Sequence, residues 1–363
     1  MKRSPITRHV IDPVLDAAVS VVQLGHRVSG LFGTGKPAEP PGMPAVSSRE
    51  QRLARYRAEQ ARAHLNPPLE IVGIDAIHMT APLVRPFTIA TTRHAELTNV
   101  VARLMLSNAI TGVGEAPVLV GSTVASDPQQ LIAAIESAAH FLVGKVVRQP
   151  GEWMLLSHGL QGMQFPGART ALEMAMIDAL CSAWTPIPAY KHFGGHSSEL
   201  KSGMTIPICE PGEAEGLARS YKGEGFTQIK TKVGLDVEED IARLEAIRKG
   251  HPECEIIIDA NQGYDADTAI ALMRRLAAMD LKPVLFEQPV KRDDWDGLKK
   301  VTLEARKLGI LVAADESLRS VEDARRIADE GLADVLNIKL AKLGFLQAMQ
   351  IVAIAREAGL RLM

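Results

Sequence analysis

Glu255-Ile-Ile-Ile-Asp-Ala-Asn261 is an apolar, β-favouring run that stops on an acid and an amide, and residues 265–279 behind it have helical spacing. The same unit repeats on both sides. Strand-like runs at 203–208, 226–233, 255–260, 284–289, 311–316 and 334–340 alternate with helix-like stretches at 211–223, 237–249, 265–279, 295–307, 320–329 and 344–358. A seventh run begins at Leu360. Strands that alternate with helices pair in parallel, and so many units in a row predict a barrel rather than an open sheet. A doubly wound sheet would place a glycine-rich phosphate loop behind its first strand, and Cys209-Glu-Pro-Gly212 is no such loop. The chain reaches Met363 inside the seventh run, so the expectation is an α/β, (β/α)7β-type barrel truncated before the end of strand seven and without strand eight.

Five of these runs close on chemistry-bearing strings: Lys230-Thr-Lys232, Asp259-Ala-Asn261, Glu287-Gln-Pro289, Asp315-Glu-Ser317 and Asn337-Ile-Lys339. Alone, each reads as a solvated strand end, a turn or a helix cap. Five on consecutive strand ends point to an active site, which in this barrel type lies at the C-terminal ends of the strands. Neighbouring strands are ~4.8 Å apart, so Asp259, Glu287 and Asp315 can share one ion. All-oxygen donors select a hard cation, Mg²⁺ first and Mn²⁺ as the alternative. Lys230 and Lys232 share a strand face, and Lys339 lies on strand six, opposite strand two in a ring of eight. A lysine base must be partly neutral, and a second cation (Lys230 for Lys232, Lys342 for Lys339) and a nearby metal both favour that form. The arrangement suits removal of a proton beside a carboxylate, with the metal stabilising the enediolate.

The remaining sequence bounds the rest. A hydrophobic fraction of 46% with 23% charged residues describes an ordinary globular chain, and a net charge of −2 gives no basis for nucleic-acid binding. No stretch approaches the ~18 apolar residues of a membrane span. Cys181, Cys209 and Cys254 are too scattered for a disulfide framework or zinc site, which fits a cytoplasmic protein, and Cys209 reads as a core thiol. His192 and His196 have helical spacing but no accompanying acid. Residues 1–66 carry ten Lys/Arg against five Asp/Glu and read as a poorly ordered extension: an amphipathic stripe, a Pro/Gly linker at 30–48 and a basic helix. Strand-like runs at 70–79, 96–106 and 111–119, then helical patterns at 127–142 and 168–183, predict a small α+β unit.

Ile229-Lys-Thr-Lys-Val-Gly234, Ile257-Ile-Asp-Ala-Asn-Gln-Gly-Tyr264, Phe286-Glu-Gln-Pro-Val290, Ala314-Asp-Glu-Ser317 and Asn337-Ile-Lys-Leu-Ala-Lys-Leu-Gly344 together resemble the enolase superfamily, in its muconate lactonizing enzyme-like subgroup. That superfamily is known for a Lys or His base working with Mg²⁺. The resemblance implies a TIM-type barrel at 186–363, a capping domain at 69–185, catalytic Lys232, Lys339 and Lys230, and metal ligands Asp259, Glu287 and Asp315. Within the subgroup the motifs look most like dipeptide epimerases of the Ala-Glu type, so the implied partner is a small carboxylate, a dipeptide. Muconate cycloisomerisation, o-succinylbenzoate synthesis and an inactive truncated fragment are the alternatives. By the same analogy Phe87, Thr92, Leu119, Thr205, Asn261 and Lys342 would face the substrate, and a homo-oligomer would be usual. Phe345 departs from the pattern, standing where a second glycine is usual.

Overall fold

A computed structural model describes residues 67–89, 92–118, 127–184, 188–195, 200 and 202–363. The stripe, linker and basic helix expected in residues 1–66 lie outside the described residues, as do Leu119 and His196.

The first layer is an antiparallel sheet of β1 (Leu69–Ile89), β2 (Thr92–Leu106), β3 (Thr111–Pro117) and β4 (Val146–Val147), in the order β3-β2-β1-β4. β1 runs ten residues past its expected end at 79. It stays paired with β2 to Ile89↔Thr92, through a register shift between Pro82 and Phe87. Helices α1 (Pro128–Leu142), α2 (Trp153–Gly159) and α3 (Pro166–Trp184) accompany this sheet, and a short α4 (Ala189–His192) follows. α3 is apolar on nearly every side because it is buried on nearly every side, with thirteen buried residues from Gly167 to Cys181. It lies directly on β3. A Cβ added at Gly112 would come within 2.1 Å of the Ala175 carbonyl oxygen, and one at Gly114 within 1.9 Å of that of Ala171.

The second layer system is the barrel sheet. β5 (Met204–Ile206), β6 (Gln228–Lys232), β7 (Glu255–Asp259), β8 (Leu285–Glu287), β9 (Leu311–Ala314), β10 (Val335–Leu336) and β11 (Arg361–Leu362) pair in parallel in chain order. Between them run α5 (Pro211–Gly223), α6 (Val237–Gly250), α7 (Ala266–Ala278), α8 (Trp295–Leu308), α9 (Val321–Glu330), α10 (Leu340–Leu343) and α11 (Phe345–Glu357). Side-chain acceptors at Asp236, Asp265, Asp294 and Ser320 start α6 to α9 by taking first-turn N–H groups. The strand expected at 334–340 is shorter than read. It ends at Leu336, and Lys339 becomes the residue before α10, whose Leu340 and Leu343 carbonyls are bound by α3.

Strand alternation sorts the side chains. Ile229, Ile256, Ile258, Phe286, Val312 and Leu336 face the helices in one large core. Ile257, Leu285, Ala313 and Val335 form a separate plug inside the sheet. Two residues further along each strand, on the same face, stand Asp259, Glu287, Asp315 and Asn337. The polar site therefore sits on an apolar floor, as the interior layers of such barrels require.

Candidate active site

Register brings the strings level. Lys232 is paired with Asp259 and Asp259 with Glu287, while Asp315 comes one residue after β9. All three acids are buried, at 1%, 0% and 1% exposure. Lys230 Nζ stands 2.8 Å from Asp259 Oδ2 and 2.6 Å from Glu287 Oε2. Lys232 Nζ lies 2.7 Å from the same Asp259 oxygen and 2.7 Å from Asn261 Oδ1. At the other end Lys339 pairs with Asp315 Oδ2, and Lys342 reaches Asp315 Oδ1 at 2.7 Å and its carbonyl at 2.8 Å.

These contacts set the protonation. Burial opposes charge on Asp259, but Lys230 and Lys232 outweigh it and hold its carboxyl below the usual range. Burial likewise opposes charge on Asp315, and Lys342 and Lys339 overcome it. Glu287 goes the other way: burial and the charge of Asp259 push it up, and Lys230 does not compensate. Burial disfavours the Lys230 ammonium, yet Asp259 and Glu287 hold it above its ordinary value. Lys339, whose side chain is 48% exposed, is raised in the same way because Asp315 outweighs its partial burial, the opposite of the lowering expected of a lysine base beside Lys342.

Among the described residues, no three Asp, Glu, His or Cys side chains are gathered closely enough to hold an ion by themselves. The lysines stand between the acids instead. The donor chemistry nonetheless fits a hard divalent cation: three buried carboxylates on neighbouring strand ends, two of them already sharing a cationic nitrogen.

A supporting set of side chains was invisible in the strand pattern. Asn337 Nδ2 donates to Glu287 Oε1 at 2.9 Å, so both oxygens of that carboxylate are engaged, the other by Lys230. Gln288 ties the ends of β8 and β9 together. Behind Lys232, Arg243 of α6 donates to the Lys232 carbonyl at 3.0 Å and to the Cys209 carbonyl at 3.1 Å. Asp240 takes the Gly234 N–H at 2.8 Å and the Tyr264 hydroxyl at 2.5 Å. Burial and Asp240 together push the Tyr264 phenol upward. The pairs run from six residues apart, Asp240 with Gly234, to fifty, Asn337 with Glu287, and the strand period encodes none of them.

The residues expected to face the substrate divide. Thr205 is level with Lys230 on β5. Asn261 and Lys342 are engaged with site residues, Lys342 against Asp315 and Asn261 between Lys232 and Glu316. The backbones of Phe87 and Thr92 lie in the β1–β2 pair. Cys209 packs against the barrel core, as a core thiol should. His192 is half-buried on α4, and its ring packs on Phe193.

Comparison with known proteins places this geometry. A family profile described as "Enolase C-terminal domain-like" matches residues 213–363. An "L-Ala-D/L-amino acid epimerase" of Populus trichocarpa is 38% identical over 94% of this chain and 84% of its own. An "Aromatic dipeptide epimerase" of Herpetosiphon aurantiacus is 39% identical over 82% of each. Among solved structures, a dipeptide epimerase from Enterococcus faecalis V583, complexed with Mg and the dipeptide L-Leu-L-Tyr, superposes with a TM-score of 0.75 at 28% identity, over 81% of both chains.

Proposed function

Because this chain belongs to the enolase superfamily, in its mandelate racemase/muconate lactonizing branch, and is an isomerase of the epimerase kind, we propose that it inverts the α-carbon of a dipeptide by metal-dependent, two-base 1,1-proton transfer. One observation carries this reading: Lys232 meets Asp259 at one end of the acid row, Lys339 meets Asp315 at the other, and Glu287 lies between. Amines that approach one row of carboxylates from opposite ends can address opposite faces of a carbon held between them.

In this mechanism one lysine, as the free amine, takes the α-proton beside the carboxylate and leaves an enediolate. The other lysine, as the ammonium, returns a proton to the opposite face. Lys230, braced between Asp259 and Glu287, adds fixed positive charge at the carboxylate end. Asp259, Glu287 and Asp315 would hold Mg²⁺, or Mn²⁺ on the same oxygen-donor grounds, and such an ion supplies charge stabilisation to the substrate carboxylate. The division of labour along the chain is part of the proposal: 69–185 as the cap that shapes specificity, 186–363 as the barrel that carries the chemistry, and 1–66 as a separate extension.

The relatives' names extend beyond Ala-Glu to aromatic and other amino-acid dipeptides, so the test uses a broad L,L-dipeptide library with Mg²⁺ in D₂O, read by NMR. Exchange and epimerisation at the C-terminal residue's α-carbon are expected. Lys232→Ala and Lys339→Ala should each abolish epimerisation, while each keeps exchange from one epimer. Absence of exchange throughout the library would remove the proposal, and a cycloisomerised or dehydrated product from an acid substrate would redirect it.

A further inference from the structure

Asn261 links two groups of opposite demand. Its Oδ1 accepts from the Lys232 ammonium at 2.7 Å, and its Nδ2 donates to Glu316 Oε1 at 3.2 Å. Lys232 Nζ donates to the amide oxygen and Glu316 Oε1 accepts from the amide nitrogen, so the bridging group presents one acceptor and one donor on a rigid plane. A carboxamide does so in one orientation only. The backbone there has φ +42°, a left-handed conformation that asparagine tolerates better than most residues, and its N–H is taken by Asp259 Oδ1 at 2.9 Å. Both ends of the residue are therefore held.

Among the described residues Glu316 serves no helix cap or ion pair. Among these residues its side chain bonds Asn261, and its other oxygen is buried without a partner. Lys232 and Lys339 each rest on an acid, Asp259 and Asp315, but among the described residues the carboxamide bridge reaches Lys232 alone. The two lysines are thus held by different means.

We infer that Glu316 is a positioning residue for Lys232, acting through the Asn261 carboxamide, so that it serves one of the two faces of the substrate and not the other. This rests on the two-base reading above. Glu316 fixes the rotation of the amide, the amide aims the Lys232 amine, and an amine displaced by about an ångström loses up to a hundredfold in rate.

The test measures α-proton exchange in D₂O from each epimer separately, with the Mg²⁺-loaded protein. Glu316→Ala should slow, by about tenfold to a hundredfold in kcat, exchange from the epimer that fails in Lys232→Ala. Exchange from the other epimer and both KM values should stay unchanged. Glu316→Gln, whose carbonyl can still accept from Nδ2, should recover most of the rate. Equal losses from both epimers, or no recovery with glutamine, would overturn the inference by pointing to the neighbouring Asp315 or to charge alone. A second readout needs no substrate. The Asn261 side-chain amide peak in the ¹⁵N spectrum of the metal-free protein, assigned by its loss in Asn261→Ala, should move in Glu316→Ala and return toward its place in Glu316→Gln. An unmoved peak sinks the positioning role even if no dipeptide proves to be a substrate, so failure of the inference and failure of the functional reading are told apart.

Discussion

Gln288 is fully buried, yet every polar atom of its side chain is used. Its Oε1 accepts from the backbone N–H groups of Asp315 and Ser317, both at 3.0 Å, and its Nε2 donates to the Val290 carbonyl at 3.0 Å and Ser317 Oγ at 2.8 Å. The backbone at φ +36° is the strain that this wiring sustains. Glutamine thus sets the height of Asp315 relative to Glu287 without touching either carboxylate. Removing it orphans two buried N–H groups, so Gln288→Ala should destabilise by about 2–5 kcal/mol, measured by urea unfolding. A loss within experimental error would show that water replaces the amide. Here the sequence was only half legible. Glu287 and Asp315 stood out because acids end apolar strands, whereas Gln288 and Ser317 read as motif letters, since their partnership spans 29 residues.

At the scale of elements, the contact between α3 and the loop after β10 matters most. Arg169 donates to the Leu343 carbonyl at 2.5 Å, Thr170 to the Leu340 carbonyl at 2.6 Å, and Glu173 accepts the Phe345 N–H. These bonds hold the segment that carries Lys339 and Lys342. Phe345, the residue out of pattern, fills a ring cluster with Trp153 and Phe193, at centroid distances of 5.7 and 5.0 Å. The departure from glycine thus fastens the loop to the helical layer. Gly344 makes the turn at φ +78°, where an added Cβ would meet Arg169 Nε at 2.7 Å and Glu173 Oε2 at 2.9 Å. Gly344→Ala should therefore cost about 1–3 kcal/mol from strain alone and lower kcat with it, read by thermal unfolding and exchange kinetics. Burial pushes the Glu173 carboxyl above its usual range, against the Ser157 hydroxyl, the Phe345 N–H and Arg169. The folded chain thus holds this proton more tightly than the unfolded one. Its stabilising contribution is complete below the ordinary glutamate value of about 4.3 and declines as pH rises through the raised value. Glu173→Gln should flatten that decline in unfolding free energy above about pH 4, and an unchanged slope would assign it to another group.

For the whole molecule, the proposed cation at the acids of the barrel centre would tie stability and function together. Mg²⁺ at a hundred times its dissociation constant should stabilise the fold by about 2.7 kcal/mol, visible as a raised Tm that EDTA reverses. Asp259→Asn should abolish that response. Lys230→Met should enlarge it, because the Lys230 ammonium holds the position between Asp259 and Glu287 that a cation would share. No response in the unsubstituted protein would argue against a metal at these acids. No helix among the described residues is long and apolar enough to cross a membrane.

The sequence by itself determined the repeat of strand and helix, the acid or base at each strand end, and the face each side chain takes. Those are local properties, written in the period of apolar residues and in the chemistry of single side chains. Only the tertiary structure decided how the charges share out: which lysine lies on which acid, that Asn261 turns to Lys232 and Glu316, that Lys342 locks Asp315, and that α3 grips the loop behind Lys339. The physical reason is distance along the chain. Hydrogen bonds and ion pairs act over about 3 Å between residues tens to hundreds of positions apart, and no pattern of neighbours in sequence encodes which of several possible partners will be within reach.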